Sequence, residues 1–238
     1  MILADLSVFG DAIGFAADNS GLLWDKTVEH VALSFAAVGV ALLIALPLGV
    51  GLGHLHRFSW IAISVANIGR ALPTLAVIAV LLVVMSIGNT VVVIALIVLA
   101  VPPILTNAYV GVSEVDHDTV EAARGMGMSE WQILRRVELP LATPLVFAGI
   151  RTAVVFVVAS ATIAAIAGGG GLGEIIVNQA AYRIEGVIAA SLVVSALALA
   201  SDAAVAGVQR LVTPKALRGR HAEDVLLASD AGEAKASV

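Results

Sequence analysis

The stretch EAARGMGMSEWQILRRVELP, Glu121 to Pro140, is charged, capped like a helix pair, and set between two long apolar runs. A loop that only joined two apolar segments needs far fewer residues. Two helix starts are legible in and just before it. Asp118 followed three residues later by Glu121 fits a capping box with an acidic cap, and Ser129 followed by Gln132 fits a second. Gly125 and Gly127 are the expected C-terminal caps of the first helix. Pro140 is expected to end the second, because the residue before proline avoids the helical region. The segment therefore reads as helix, glycine turn, helix. Ala122, Ala123 and Met126 are expected on one side of the first helix, with Met128 at the turn. Trp131, Leu134 and Val137 are expected to form one stripe on the second. Alanines permit close approach, and methionines adapt to a partner surface. On physics alone two readings stand: a hairpin lying on a membrane face, and a handle gripped by another protein.

Outward from this segment the chain is 60% hydrophobic and 13% charged over 238 residues, about half the charged fraction of an ordinary soluble domain. Mean hydropathy is +1.02. So little polar residue cannot cover a soluble surface, and the expected class is all-α integral membrane. A bilayer core of about 30 Å takes ~20 apolar residues as helix, and long runs without period-2 alternation mean helices rather than barrel strands. Five spans are expected: Val31 to Gly53, Trp60 to Ser86 with Arg70 and Pro73 inside it, Asn89 to Tyr109, Leu145 to Ala167, and Val187 to Val208. The chain carries no cysteine, which excludes disulfides, thiol nucleophiles and thiolate metal sites.

Net charge is −5, but the placement of Lys and Arg says more in a membrane protein. One side collects Arg57, Arg124, Arg135, Arg136, Lys215, Arg218 and Arg220. The other holds an acidic N-terminus with Lys26, a short turn at Ser86 to Asn89, and the Gly168 to Gly186 loop with Arg183. The expected orientation places the N-terminus outside and the charged segment and C-terminus in the cytoplasm. Residues 1–28 lack a basic n-region and read as an extracytoplasmic lead-in, not a signal peptide. Residues 29–213 form the membrane domain, with the cytoplasmic loop at 113–143. Residues 214–238 are small and polar and read as a disordered cytoplasmic tail.

The pattern Glu121-Ala122-Ala123, then Gly127, Val137 and Leu139-Pro140, resembles the EAA loop of ATP-binding-cassette importer permeases, with Val in place of the commoner Ile. The stretches NIGRALPTLAVIAVLL at Asn67 to Leu82, PPILTNAYVGV ending at Val112, and GGGGLGEII at Gly168 to Ile176 look like permeases of the glycine betaine, carnitine and choline group. The resemblance implies a MetI-like type I importer permease fold. It implies that Glu121, Ala122, Ala123, Met126, Gly127, Met128, Leu139 and Pro140 meet a cytoplasmic ATPase. It implies an ATPase dimer, an identical or related permease and an extracytoplasmic substrate-binding protein as partners. This chain would bind no cofactor; ATP and magnesium would belong to the ATPase. Permeases for methionine, taurine or phosphonate remain open, as does a membrane scaffold that binds a cytosolic protein through the hairpin.

Gly168 to Gly173 matches G-x-G-x-x-G formally, but it follows an apolar helix and is expected outside, away from nucleotide. It is either a flexible outer loop or an outer gate built on Gly170, Gly171 and Gly173. His54 and His56 are expected in a solvated turn, and His30 and His117 are isolated. No catalytic constellation, metal site or nucleic-acid surface is legible. Charges at mid-bilayer cost about 2.5 to 3.5 kcal/mol each and call for protein or water around them. Arg70 and Asp202 are such charges, and Asn67, Arg70, Pro73, Asn107 and Asp202 are candidate pathway residues. Arg70 is equally readable as an interfacial residue. Asp202 has Arg70, Arg210 or a partner subunit as possible neighbours, while Arg151 is expected to snorkel to the cytoplasmic interface. The spans hold few aromatics, so tight capture of a quaternary ammonium in an aromatic cage is not expected within the membrane.

Overall fold

The computed structural model describes residues 7–56, 59–71, 73–85 and 87–213, without the side chains of Ser59, Arg70 and Ala164. All regular elements among them are helical. Helix α1 covers Ser7–Asp18 and α2 covers Ser20–Leu55. The expected boundary of the lead-in at residue 28 thus falls inside a helix. At 1.5 Å per residue the 36 residues of α2 reach about 54 Å, well beyond a 30 Å bilayer core.

The second expected span is broken. Helix α3, Ser59–Ala71, and α4, Thr74–Val84, meet at a bend of 92°. Pro73 stands at the break with extended backbone, φ −68° and ψ 128°, and cannot donate to a helical ladder through α3. Helix α5, Asn89–Ser113, runs through Pro102 and Pro103 without ending. The charged segment between the third and fourth spans supplies α6, His117–Gly125, and the short α7, Glu130–Ile133.

Here the structure corrects the expected end at Pro140. A π-helical turn at Leu134–Glu138 leads directly into α8, Leu139–Ser160, with Pro140 in its first turn. Proline is tolerated there because its missing N–H falls where the widened turn has already shifted the ladder: Leu139 N–H bonds back to Leu134. From α7 onward the charged segment and the fourth span therefore form one continuous rod. A 3-10 stretch at Ala161–Ala167 follows, then α9, Leu172–Val177, and α10, Gln179–Val212, whose helical backbone is interrupted at Arg183 (φ 56°, ψ 179°).

The core lies where α2, α5 and α8 pack, around Ala37, Ala41, Ala45, Leu96, Ala100, Ile104, Ala153 and Val157. Glycines set the approach. A Cβ on Gly49 would lie 2.5 Å from the Leu105 carbonyl oxygen, one on Gly53 2.8 Å from that of Tyr109, and one on Gly149 2.6 Å from that of Pro103. Close backbone contact of this kind holds helices together in a solvent as apolar as their own side chains. Helix α10 packs on α8 and α1, and a second cluster of Leu23, Leu172, Ile175, Ala190 and Val194 closes the end near α9.

Candidate functional site

The segment between α5 and α8 is a built unit. Asp116, and not Asp118, caps α6: its side chain accepts from the Asp118 N–H at 3.1 Å. At the other end Gly127 N–H bonds to Arg124 O and Met128 N–H to Ala123 O, the two bonds of a Schellman turn. Gly127 sits at φ +81°, which only glycine adopts freely. The Ser129–Gln132 capping box is present with both hydrogen bonds. Arg124 closes the turn from outside, donating to Glu121 at 2.9 Å and to Glu130 at 3.0 and 3.2 Å. The hydrogen bond to Glu130 holds the Arg124 guanidinium above its ordinary pKa. The pair is exposed, so its worth to stability is small.

The expected apolar faces are redistributed. Ala123 is buried with Val120 and Ile133 in a small core completed by Val115, Met128 and Val137. Ala122 lies on the exposed side with Glu121 and Gly127. Leu134 turns inward, against Ala108, Val112 and Ala142. Trp131 parts from Leu134 and faces outward at 66% exposure, and Met126 does so at 76%. Leu139 and Pro140 are half-buried beside Leu46, Pro47 and Val50, at an apolar groove of about 460 Å³. The segment is thus clamped inward by a core and presents Met126 and Trp131 outward.

A contact that sequence reasoning missed ties this unit to the first span. Glu138, in the π-helical turn, is 1% exposed, and the imidazole Nδ1 of His54 lies 2.6 Å from its carboxylate. His54 is therefore not a solvated turn residue. The available signal was shared depth: His54 follows the first apolar run and Glu138 precedes the fourth, both at the same membrane edge.

Of the pathway candidates, the structure brings Asn107 into a cleft of about 670 Å³ lined also by Ala66, Thr74, Thr106, Thr152 and Phe156. Asn107 donates its side-chain N–H to the Pro103 carbonyl, four residues back along α5, at 2.8 Å. Asn67 is exposed on α3 and Pro73 marks the break that opens the cleft beside Thr74. The side chain of Arg70 lies outside the described residues. Asp202 is elsewhere: its carboxylate takes two hydrogen bonds from Arg151, Nε at 2.8 Å and Nη2 at 2.7 Å. Arg151 therefore does not snorkel to the interface, and among the described side chains Asp202 pairs with Arg151 and not with Arg210. A bidentate partner inside the bundle is stronger than a distant interface.

At the far end the glycine-rich loop is strapped down. Gly171, at φ +83°, donates its N–H to Glu29 at 3.0 Å, and Lys26 joins Glu29 at 3.2 Å and Glu174 at 2.5 Å. A Cβ on Gly170 would enter the Glu29 carboxylate, and one on Gly173 would enter the Thr162 carbonyl. His30, fully buried beneath the loop, donates Nε2–H to the Val158 carbonyl at 2.9 Å.

Residues 37–216 match the family described as binding-protein-dependent transport system inner membrane component. The glycine betaine/carnitine/choline transport system permease protein OpuCB of Bacillus subtilis is 38% identical over 206 residues, covering 86% of this chain and 95% of that protein. The osmoprotectant import permease protein OsmW of Salmonella typhimurium is 36% identical, covering 87% and 100%. Among solved structures, the MetNI methionine ABC transporter in an inward-facing conformation shares the fold at a TM-score of 0.70 and 24% identity, over 81% of this chain and 97% of that one.

Proposed function

The chain belongs to the family of binding-protein-dependent transport system inner membrane components, and from that premise we propose that it carries a small trimethylammonium osmoprotectant inward, with glycine betaine, carnitine and choline as the candidates. It is an inner-membrane permease subunit of an ATP-driven importer and not itself an enzyme; the family works with a separate ATPase and a substrate-binding protein. The names of its relatives support the substrate class.

The observation that carries the coupling role is the outward pair Met126 and Trp131 on a segment otherwise clamped by its own core. Exposed large apolar side chains on a rigid cytoplasmic projection suit a protein partner. In this reading Glu121, Ala122, Gly127, Met126 and Trp131 face the ATPase, while Ala123, Met128, Leu139 and Pro140 hold the segment's shape. An ATPase dimer closing on ATP draws two such segments, from this chain and an identical or related permease, toward each other. The α8 rod carries that displacement into the bilayer, and hydrolysis resets it. Reconstitution into liposomes with the ATPase and binding protein tests the proposal. Labelled glycine betaine, carnitine or choline is expected to accumulate only with ATP inside. ATP turnover that no substrate-loaded binding protein stimulates would overturn it in favour of a scaffold.

A further inference from the structure

We propose that the groove holding Arg151, Asp202 and Phe156 is a subsite within the membrane for a zwitterion that bears a trimethylammonium group and a carboxylate. This rests on the osmoprotectant reading above and deepens it.

The groove, of about 410 Å³, is lined by Ala148, Arg151, Thr152, Val155, Phe156 and Asp202. Arg151 stands twelve residues into α8 from Leu139, about 18 Å along the axis, and Asp202 ten residues before the end of α10, about 15 Å. Counted instead from the ends of the apolar runs, Leu145 and Val208, each residue lies six positions or about 9 Å inside, so on either count the ion pair falls within the bilayer core. The Arg151 and Asp202 side chains are nevertheless 39% and 31% exposed. Charged atoms open at that depth face protein or a water-filled passage, not lipid. Thr152 and Phe156 also line the larger cleft with Asn107 and Thr106, so groove and cleft form one continuous polar-edged surface.

The chemistry of the groove has two poles. Asp202 occupies Nε and Nη2 of Arg151, which leaves the Nη1 edge of the guanidinium available among the described residues. That edge suits a carboxylate. Phe156 is 51% exposed and lies five residues further along α8, about 7.5 Å toward the outer end. Its ring face suits a quaternary ammonium. Asp202 is a positioning residue: it fixes the plane of the guanidinium and cancels its charge. A zwitterion meeting a net-neutral pair leaves no residual charge on either side, so it is recognised without being trapped.

The test is uptake of glycine betaine, carnitine and choline by the reconstituted complex, since choline lacks the carboxylate. Arg151→Gln is expected to lower glycine betaine and carnitine uptake by about tenfold, the scale of one lost charge-assisted hydrogen bond, and to spare choline. Phe156→Leu is expected to lower all three, and Phe156→Trp to restore them. The exchange Arg151→Asp with Asp202→Arg keeps the tie between α8 and α10. It is expected to leave glycine betaine uptake low; full recovery there would show a purely structural pair and overturn the subsite. Equal losses for all three solutes in Arg151→Gln would overturn it too. A wild type that moves none of the three overturns the osmoprotectant reading itself, and the subsite with it.

Discussion

Gly127 shows how much one backbone angle can decide. Its φ of +81° is what lets α6 stop and α7 begin within a few residues. A side chain there costs about 1–2 kcal/mol, more if β-branched. Gly127→Val is expected to leave the protein inserted, measured by its amount in membranes, and to abolish stimulation of ATP turnover by loaded binding protein. Gly127→Asn, which tolerates that angle, is expected to keep most of it. The opposite face has its own single-residue test. Gly170→Ala drives a methyl into the Glu29 carboxylate and displaces the strap that holds Gly171 and Glu174. Uptake is expected to fall while association with the ATPase stays intact, and normal uptake would show that the loop needs no such fit.

At the scale of elements, the charged segment of α6 and α7 is joined to the spans by a continuous rod and by a polar clip. Removing His54 leaves the almost fully buried Glu138 without that partner, at a cost of about 1–3 kcal/mol or more. His54→Ala is therefore expected to lower the apparent melting temperature in detergent. Adding Glu138→Leu is expected to recover most of the loss, a coupling that a double-mutant cycle reads directly. The two helices and their glycine turn were legible in the sequence because capping residues act locally. Ser129 and Gln132 declare themselves over three positions. The cap at Asp116, the split between Trp131 and Leu134, and the passage through Pro140 were not legible. Each depends on what α5 and α2 place beneath the segment, or on a π-turn that shifts the register. The ion pair at Arg151 and Asp202 escaped for a like reason: its members lie fifty-one positions apart, and only the crossing of α8 with α10 brings them together.

For the whole molecule, the apolar runs foretold the spans well, since lipid demands length and hydropathy before anything else. They could not foretell that α2, which carries the first span, is longer than a bilayer core is thick, nor that the second span turns through a right angle. Orientation remains a matter of charge placement, and several of those charges, Arg57, Lys215, Arg218 and Arg220, lie outside the described residues. The absence of cysteine makes it directly testable. Met126→Cys in intact cells is expected to resist a membrane-impermeant maleimide and Val177→Cys to react; the reverse pattern would invert the topology. One more consequence follows from the glycine crossings of α2, α5 and α8. With main-chain oxygens seated against Gly49, Gly53 and Gly149, these three rods have no slack to slide past one another. In the coupling proposed above the stroke is then absorbed by the bent second span, which is expected to trade its amide protons for deuterium first and fastest, while the trio stays silent.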